Sequence, residues 1–192
     1  MNAHPDQSTP RQDAILDAAF HAFSTYGFRR TSMEDIALGA GISRSALYLH
    51  FRNKDDIFRS LAKRYFEDAA ATVAAELATA DRAGAETLTA AFLAYDGKFM
   101  EVVLGTPHGA ELLEAGHLIS ADLVADGEAR VRALLVAWLN STPMPLAMGD
   151  ASQLASTIQA SLKGLKSSAK SLDGYRAAQK QLAQMIALAL GR

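Results

Sequence analysis

The stretch TSMEDIALGAGISRSALYLHFRNK, residues Thr31 to Lys54, decides how this chain is read. It divides into two short helices and a tight turn. Thr31 stands three residues before Glu34, the spacing at which a hydroxyl caps a helix and a carboxylate reaches back to the cap's own N–H, so a helix is expected just after Thr31. Met33, Ile36 and Ala37 then form an i, i+3, i+4 apolar stripe, and Gly39-Ala40-Gly41 permits the positive φ of a helix stop. Ser43 is the expected cap of a second helix whose Ala46, Leu47 and Phe51 face back toward the first, leaving Arg44, Ser45, Tyr48 and His50 to project outward. Asn53 caps a third helix with Asp56 at its third position, which sets Lys54 at a helix N-terminus, where exposed N–H groups favour an anion such as a backbone phosphate.

Two helices joined by a short turn containing glycine, the second presenting hydroxyls, imidazole and guanidinium to the outside, fit a DNA major groove. A hairpin in an ordinary helical bundle would show the same caps and stripe, but the donor-rich outer face favours DNA. Charge agrees. The chain as a whole carries a formal net charge of −2, yet Arg29 to Arg64 hold eight Lys and Arg against four acidic residues, while the chain from Tyr65 onward holds ten against fourteen. Positive charge is gathered where phosphate contact is expected, and the acidic remainder discourages DNA from wrapping elsewhere.

Read outward from this core, ILDAAFHAF at 15–23, Gly27-Phe28, IALGAGIS at 36–43 and LYLHFRNKDDIF at 47–58 resemble the N-terminal DNA-binding region of the TetR family of bacterial transcriptional regulators. Spacing and residue type agree together over the first third of the chain, and beyond it only the pattern of helices matches. Leu49 departs from the resemblance, since many members carry an aromatic or polar residue beside the tyrosine. What the resemblance implies is a ligand-responsive regulator, most often a repressor released from its operator by a small apolar effector, acting as a homodimer on a palindromic double-stranded operator. Arg44, Ser45 and Tyr48 are then expected at the groove or its edges, with Ser43 at the start of their helix, and Thr31, Ser32, His50 and Lys54 at phosphates. The competing class is a helical protein-interaction or small-molecule-binding module that no longer binds DNA.

Composition sets the outer limits. Hydrophobic residues make up 49% of the 192 and charged residues 21%, as in an ordinary globular protein. Cysteine is absent, which removes disulfide frameworks, thiolate zinc sites and cysteine nucleophiles, and suits a reducing cytoplasm. The opening MNAHPDQSTPRQD has no basic segment followed by an apolar run, so no signal peptide is expected. No membrane span is expected either, because the longest charge-free stretch, Ala133 to Gly149, is broken by Asn140, Ser141, Thr142, Pro143 and Pro145. No catalytic constellation is visible: no histidine accompanies the serines near 167–171, and Gly39-x-Gly41 lacks the third glycine of a dinucleotide fingerprint. An enzyme and a cofactor are therefore not expected.

Helical periodicity continues to the C-terminus, without strand alternation, and predicts an all-α chain of about nine helices. Its expected parts are a flexible arm at 1–9, a three-helix helix-turn-helix domain at 10–55 and a helical regulatory and dimerisation domain at 56–192. In the arm's neighbour, Leu16, Ala19, Phe20 and Phe23 form one face of a first helix from about Pro10 to Tyr26. A long helix from Lys54 to about Ala80 belongs to both domains and links them mechanically. Asp81-Arg82-Ala83-Gly84 and Leu172-Asp173-Gly174 are expected turns. His108, Glu111, Glu114 and His117 recur every three residues, and Glu114 with His117 could share a metal, although a solvated helix surface is the preferred reading. Phe66, Phe92, Tyr95, Phe99, Met100, Trp138, Met144 and Met148 supply core and the candidate walls of a predominantly apolar pocket, with Tyr95, His117 and Gln159 as polar anchors. The last two helices carry Leu154, Ile158, Leu162, Gly164 and Leu165, then Leu182, Met185 and Ile186, more apolar and small residues than one domain needs, and the resemblance places a four-helix dimer interface there.

Overall fold

A computed structural model describes residues 9–79, 84–141 and 149–191, with the side chains of 97 and 98 left aside. The arm expected at 1–9 therefore falls outside the described residues except for Thr9, as do Asp81, Arg82, Ala83, Met144 and Met148. Among the described residues the chain is all-α, with nine helices: α1 (Pro10–Tyr26), α2 (Met33–Gly39), α3 (Arg44–Tyr48), α4 (Lys54–Leu77), α5 (Gly84–Gly105), α6 (Gly109–Ile119), α7 (Ala121–Asn140), α8 (Ala151–Ser168) and α9 (Leu172–Ala189). None is long and apolar enough to cross a membrane.

Caps decide where most of these helices begin. Thr9 and Gln12 form a capping box ahead of α1, with Pro10 in the first turn, where its missing N–H costs nothing. At α2 the box is one residue later than the Thr31–Glu34 spacing suggests: Ser32 accepts from the Asp35 N–H, and the Asp35 carboxylate accepts from Ser32. Thr31 is unavailable because its hydroxyl is buried and donates to the carbonyls of Ala22 and Gly27. Asp150 caps α8. Ser171 caps α9, so Leu172-Asp173-Gly174 is not a turn but the first turn of that helix, with Asp173 favourably placed near the N-terminal dipole.

The chain divides into two compact units, residues 1–64 with 106–121, and residues 65–105 with 122–192. Helix α4 contributes to both, and α6, which sequence grouped with the C-terminal half, clusters with the first. In the first unit the inner stripe of α1 is Ile15, Leu16, Ala19, Ala22 and Phe23. This stripe centres on Ile15 and Ala19, which leaves Phe20 at its edge and 42% exposed instead of in the core. Phe23, Phe28 and Phe58 meet as a cluster of rings with centroids 5.1 to 5.8 Å apart, a spacing that favours tilted and edge-on contact. Ile36, Leu47 and Ile57, each fully buried, close this core from α2, α3 and α4.

The second unit is built around α5, which packs along α9. Phe92 from α5, Leu135 and Leu139 from α7, Ile158 and Leu162 from α8 and Ala183 from α9 are all nearly inaccessible, and each large side chain so buried contributes about 1.5–3 kcal/mol. Polar groups tie the helices as well. The fully buried Gln179 of α9 donates to the Phe92 carbonyl of α5 at 3.0 Å, and Tyr65 of α4 donates to the Tyr95 carbonyl at 2.7 Å.

Gly127 marks the tightest helix contact in this unit, because a Cβ placed there would lie 2.3 Å from Phe66 Cδ1 and 2.5 Å from its Cγ. Alanine would gain up to about 1 kcal/mol of helix propensity over glycine. Overpacking outweighs that gain, so Gly127→Ala is expected to destabilise the protein by about 1–3 kcal/mol in urea unfolding, and Phe66→Leu introduced alongside it should recover part of the loss.

Candidate functional site

Helix α3 is only five residues long, and its surroundings hold it in place. Gly41 adopts φ +65° and donates to the Leu38 carbonyl while Ile42 donates to that of Ala37, the paired bonds of a Schellman stop. Nothing lies within 4 Å of a Cβ built at Gly41, so the positive φ alone accounts for the glycine. Ser43 then caps α3, accepting from the Ala46 N–H at 3.1 Å and sharing a hydrogen bond with the Ser45 hydroxyl at 3.0 Å. Leu47 and Phe51 are buried beneath the helix. Arg44, Ser45, Tyr48 and Leu49 are exposed, the guanidinium of Arg44 lying 5.7 Å from the Tyr48 ring centre. Leu49, 84% exposed, extends this surface with an apolar group beside the tyrosine. Ser32 is exposed at the start of α2, and His50 is half-buried at the end of α3.

Two of the residues expected at phosphates have other partners in the fold. Thr31 is 2% exposed and spends its hydroxyl on main-chain carbonyls. The Lys54 ammonium donates to the carbonyls of Phe28 at 2.7 Å, Arg29 at 3.2 Å and Thr31 at 3.0 Å, and lies 4.6 Å from the centre of the Phe28 ring. Three carbonyls offset the cost of a cation at the positive end of α4. Lys54 is thus a clamp on the loop between α1 and α2. The same loop is held from its other side by α6: Glu111 accepts the Arg29 N–H at 2.6 Å, and Arg29 pairs with Glu114 at 3.1 Å. Sequence reasoning missed Arg52, whose side chain is 89% exposed and only loosely paired with Asp56 at 3.6 Å, and Arg30, which is also exposed.

In the second unit, a pocket of about 220 Å³ opens between α5, α7 and α8. Its lining is not the predominantly apolar surface expected from the aromatic and methionine content, since five of its nine residues are charged. Tyr95 and Gln159 do line it. Phe92 and Met100 are fully buried core, Phe66 packs on Gly127, Phe99 packs on Tyr65, Trp138 borders the core, and His117 is exposed on α6. A shallow groove between α8 and α9 is lined by Ser161, Leu165, Ala178, Gln181, Leu182 and Met185, with Met185 61% and Leu188 78% exposed. Of the residues expected to form a dimer interface, Leu165, Leu182 and Met185 lie on this face and Gly164 is exposed. Leu154, Ile158, Leu162 and Ile186 belong instead to the protomer's own core, because a helix packed on one side turns only its opposite stripe to a partner. No group of three or more His, Cys, Asp or Glu able to hold a metal occurs among the described residues.

Residues 15–61 match the family model of the bacterial regulatory proteins of the tetR family. In sequence, the N-terminal domain is similar to that family. The HTH-type transcriptional repressor Rv1474c of Mycobacterium tuberculosis is 35% identical over 71 residues, 37% of this chain and 38% of that protein. The chain spans between about a fifth and a half of the length of the first curated relatives that it matches. Likeness of fold reaches further. A TetR-family transcriptional regulator from Mesorhizobium loti aligns at a TM-score of 0.71 and 20% identity over 93% of this chain and 96% of its own. SmeT, the repressor of the Stenotrophomonas maltophilia multidrug efflux pump SmeDEF, aligns at 0.63 and 23% over 95% and 90%, and its structure is also known as a complex with triclosan.

Within this N-terminal domain the Lys54 clamp has a measurable consequence. Lys54→Met removes three charge-assisted hydrogen bonds from carbonyls at the edge of the core, so it is expected to destabilise the first unit by about 1.5–3 kcal/mol. Urea unfolding, with hydrogen exchange at the amides of residues 28–31, checks this.

Proposed function

We propose that the protein is a ligand-responsive DNA-binding transcriptional repressor that acts as a homodimer on a palindromic operator. The observation that carries the reading is α3 itself, a helix with a buried inner side and an outer side made of Arg44, Ser45, Tyr48 and Leu49, set at the end of a Schellman turn in a TetR-family domain. Arg44 is suited to a guanine edge, and Leu49 to a thymine methyl. Ser32, Ser43, His50, Arg52 and Arg30 serve the phosphates, while Lys54 and Thr31 act through the loop that they hold. The names of the relatives support repression: Rv1474c is described as a repressor, and SmeT as the repressor of an efflux pump.

Binding to random duplex fragments at two salt concentrations tests the reading, since phosphate neutralisation gives a steep salt slope. Selection of a preferred sequence should follow, and Arg44→Ala should cost about 1–3 kcal/mol and relax the preference at one position of each half-site. A shallow slope with no selectable sequence would favour a helical interaction module instead.

Dimerisation is read from the apolar groove between α8 and α9, lined by Leu165, Leu182 and Met185, and from Leu188, exposed on the same helix as Met185. Two reading helices about 34–36 Å apart would then engage successive major grooves together. Met185→Asp is expected to give folded monomers with weakened operator binding, whereas Ile158→Asp, inside the protomer core, should unfold the protein. Sedimentation velocity and far-UV circular dichroism distinguish the two outcomes. The response to ligand is assigned to the second unit. Helix α4 runs uninterrupted from beside the reading helix to Tyr65, Phe66 and Val73 of that unit, so a ligand preferring one setting of α4 shifts DNA affinity by its differential affinity for the two settings.

A further inference from the structure

The pocket between α5, α7 and α8 has a chemistry that selects its ligand. Its volume, about 220 Å³, lies below the roughly 300–1,000 Å³ of pockets that hold drug-sized molecules, so the ligand is small. Asp96 forms the floor at 2% exposure, and both of its oxygens are engaged: Oδ1 with the Lys166 ammonium at 2.5 Å and Oδ2 with the Tyr175 hydroxyl at 2.9 Å. A cationic ligand would have to displace Lys166, which also lies 5.8 Å from the ring centres of both Tyr95 and Phe99. Breaking a buried ion pair to admit another cation is unfavourable, because the displaced ammonium loses its partner.

The groups still unspent are donors. The Arg132 guanidinium has no ion pair or hydrogen bond among the described residues, and Lys163 is only loosely paired with Glu128 at 3.9 Å. The ammonium of Lys166 has donors beyond the one given to Asp96. Tyr95 presents a hydroxyl with no hydrogen-bond partner among the described residues, and its burial, then the charges of Asp96 and Glu128, raise its pKa and keep it a donor. Three cations face two carboxylates in the lining, a net of one positive charge. A monoanion neutralises that excess, whereas a dianion would meet Glu128.

We propose that this pocket binds a small organic monocarboxylate, held by the Arg132 guanidinium, the Lys166 ammonium and the Tyr95 hydroxyl. The proposal rests on the reading of the second unit as the ligand-responsive half of a regulator, and it names the chemical class of the ligand.

The test uses the full-length protein and three probes, hexanoate, benzoate and phenylacetate, each beside the primary amide and the amine of the same skeleton at equal ionic strength. At least one carboxylate is expected to raise the melting temperature by about 5 °C at a hundredfold excess over its Kd, with no shift from its amide or amine. Arg132→Gln, on an exposed side chain, should leave folding intact and weaken that carboxylate on the order of tenfold by calorimetry. Stabilisation by amides or amines equal to that by carboxylates, no binding of any carboxylate, or an unchanged affinity in Arg132→Gln would each overturn the assignment. Operator binding measured in the same samples separates the two levels. A carboxylate that binds through Arg132 but leaves DNA affinity unchanged supports the site and overturns ligand response, and an amine that releases DNA does the reverse.

Discussion

A five-residue helix cannot hold its own shape in water, because the cost of nucleation exceeds what so few hydrogen bonds return. Everything at the surface of α3 therefore depends on burial beneath it. Leu47 and Phe51 anchor the helix to a core made by α1, α2 and α4, Gly41 sets the angle at which the chain enters it, and Ser43 fixes its first turn. Arg44, Ser45, Tyr48 and Leu49 are consequently presented by a rigid support with little freedom of its own. Rigid presentation is what base recognition demands, since a hydrogen bond to a base edge discriminates only if the donor cannot relocate to suit another base.

The loop from Gly27 to Thr31 is held from several sides. Gly27 is confined by its φ of +86° and by Glu111 Oε2, which would lie 2.5 Å from an added Cβ. Its carbonyl accepts from both the N–H and the hydroxyl of Thr31. Lys54 gathers three further carbonyls, and Glu111 takes the Arg29 N–H. The exposed Arg29–Glu114 pair contributes little by comparison, because solvent screens it and two long side chains must be ordered to form it. Among the polar contacts of α6 on this loop, Glu111 is therefore the principal one, a role that gives it a purpose distinct from metal binding.

In the second unit a cluster of buried polar groups lies beside the apolar packing, while Gln179 donates to the Phe92 carbonyl within it. The aromatic and aliphatic side chains of α5, α7, α8 and α9 fill the core, while Asp96, Lys166, Tyr175 and the amide of Gln159 gather at or beneath one opening. Asp96 tolerates burial because it is paired and hydrogen-bonded, and its negative charge helps to hold the hydroxyl protons of Tyr95 and Tyr175. The α8–α9 face away from that core carries Met185 and Leu188 into solvent, a concentration of apolar surface that a lone folded protomer leaves uncovered.

Sequence alone determined the helices, because apolar periodicity, caps and glycine stops act within a few residues of one another. It also carried the resemblance of the first sixty residues to the TetR family, and the outer face of α3, since Arg44, Ser45 and Tyr48 alternate with Leu47 on so short a helix that only one arrangement buries the leucine. Tertiary structure decided whatever depends on partners distant in the chain. Lys54 and Thr31 read as exposed donors until carbonyls more than twenty and up to nine residues away claimed them. Ile158 of α8 and Met185 of α9 look alike as apolar helix positions, and only the packing of both helices on the common core turned one inward and left the other outside. The pocket was hidden for the same reason. Asp96, Arg132 and Lys166 come from three helices, and no periodicity within any one of them records that the folded chain brings their charges together.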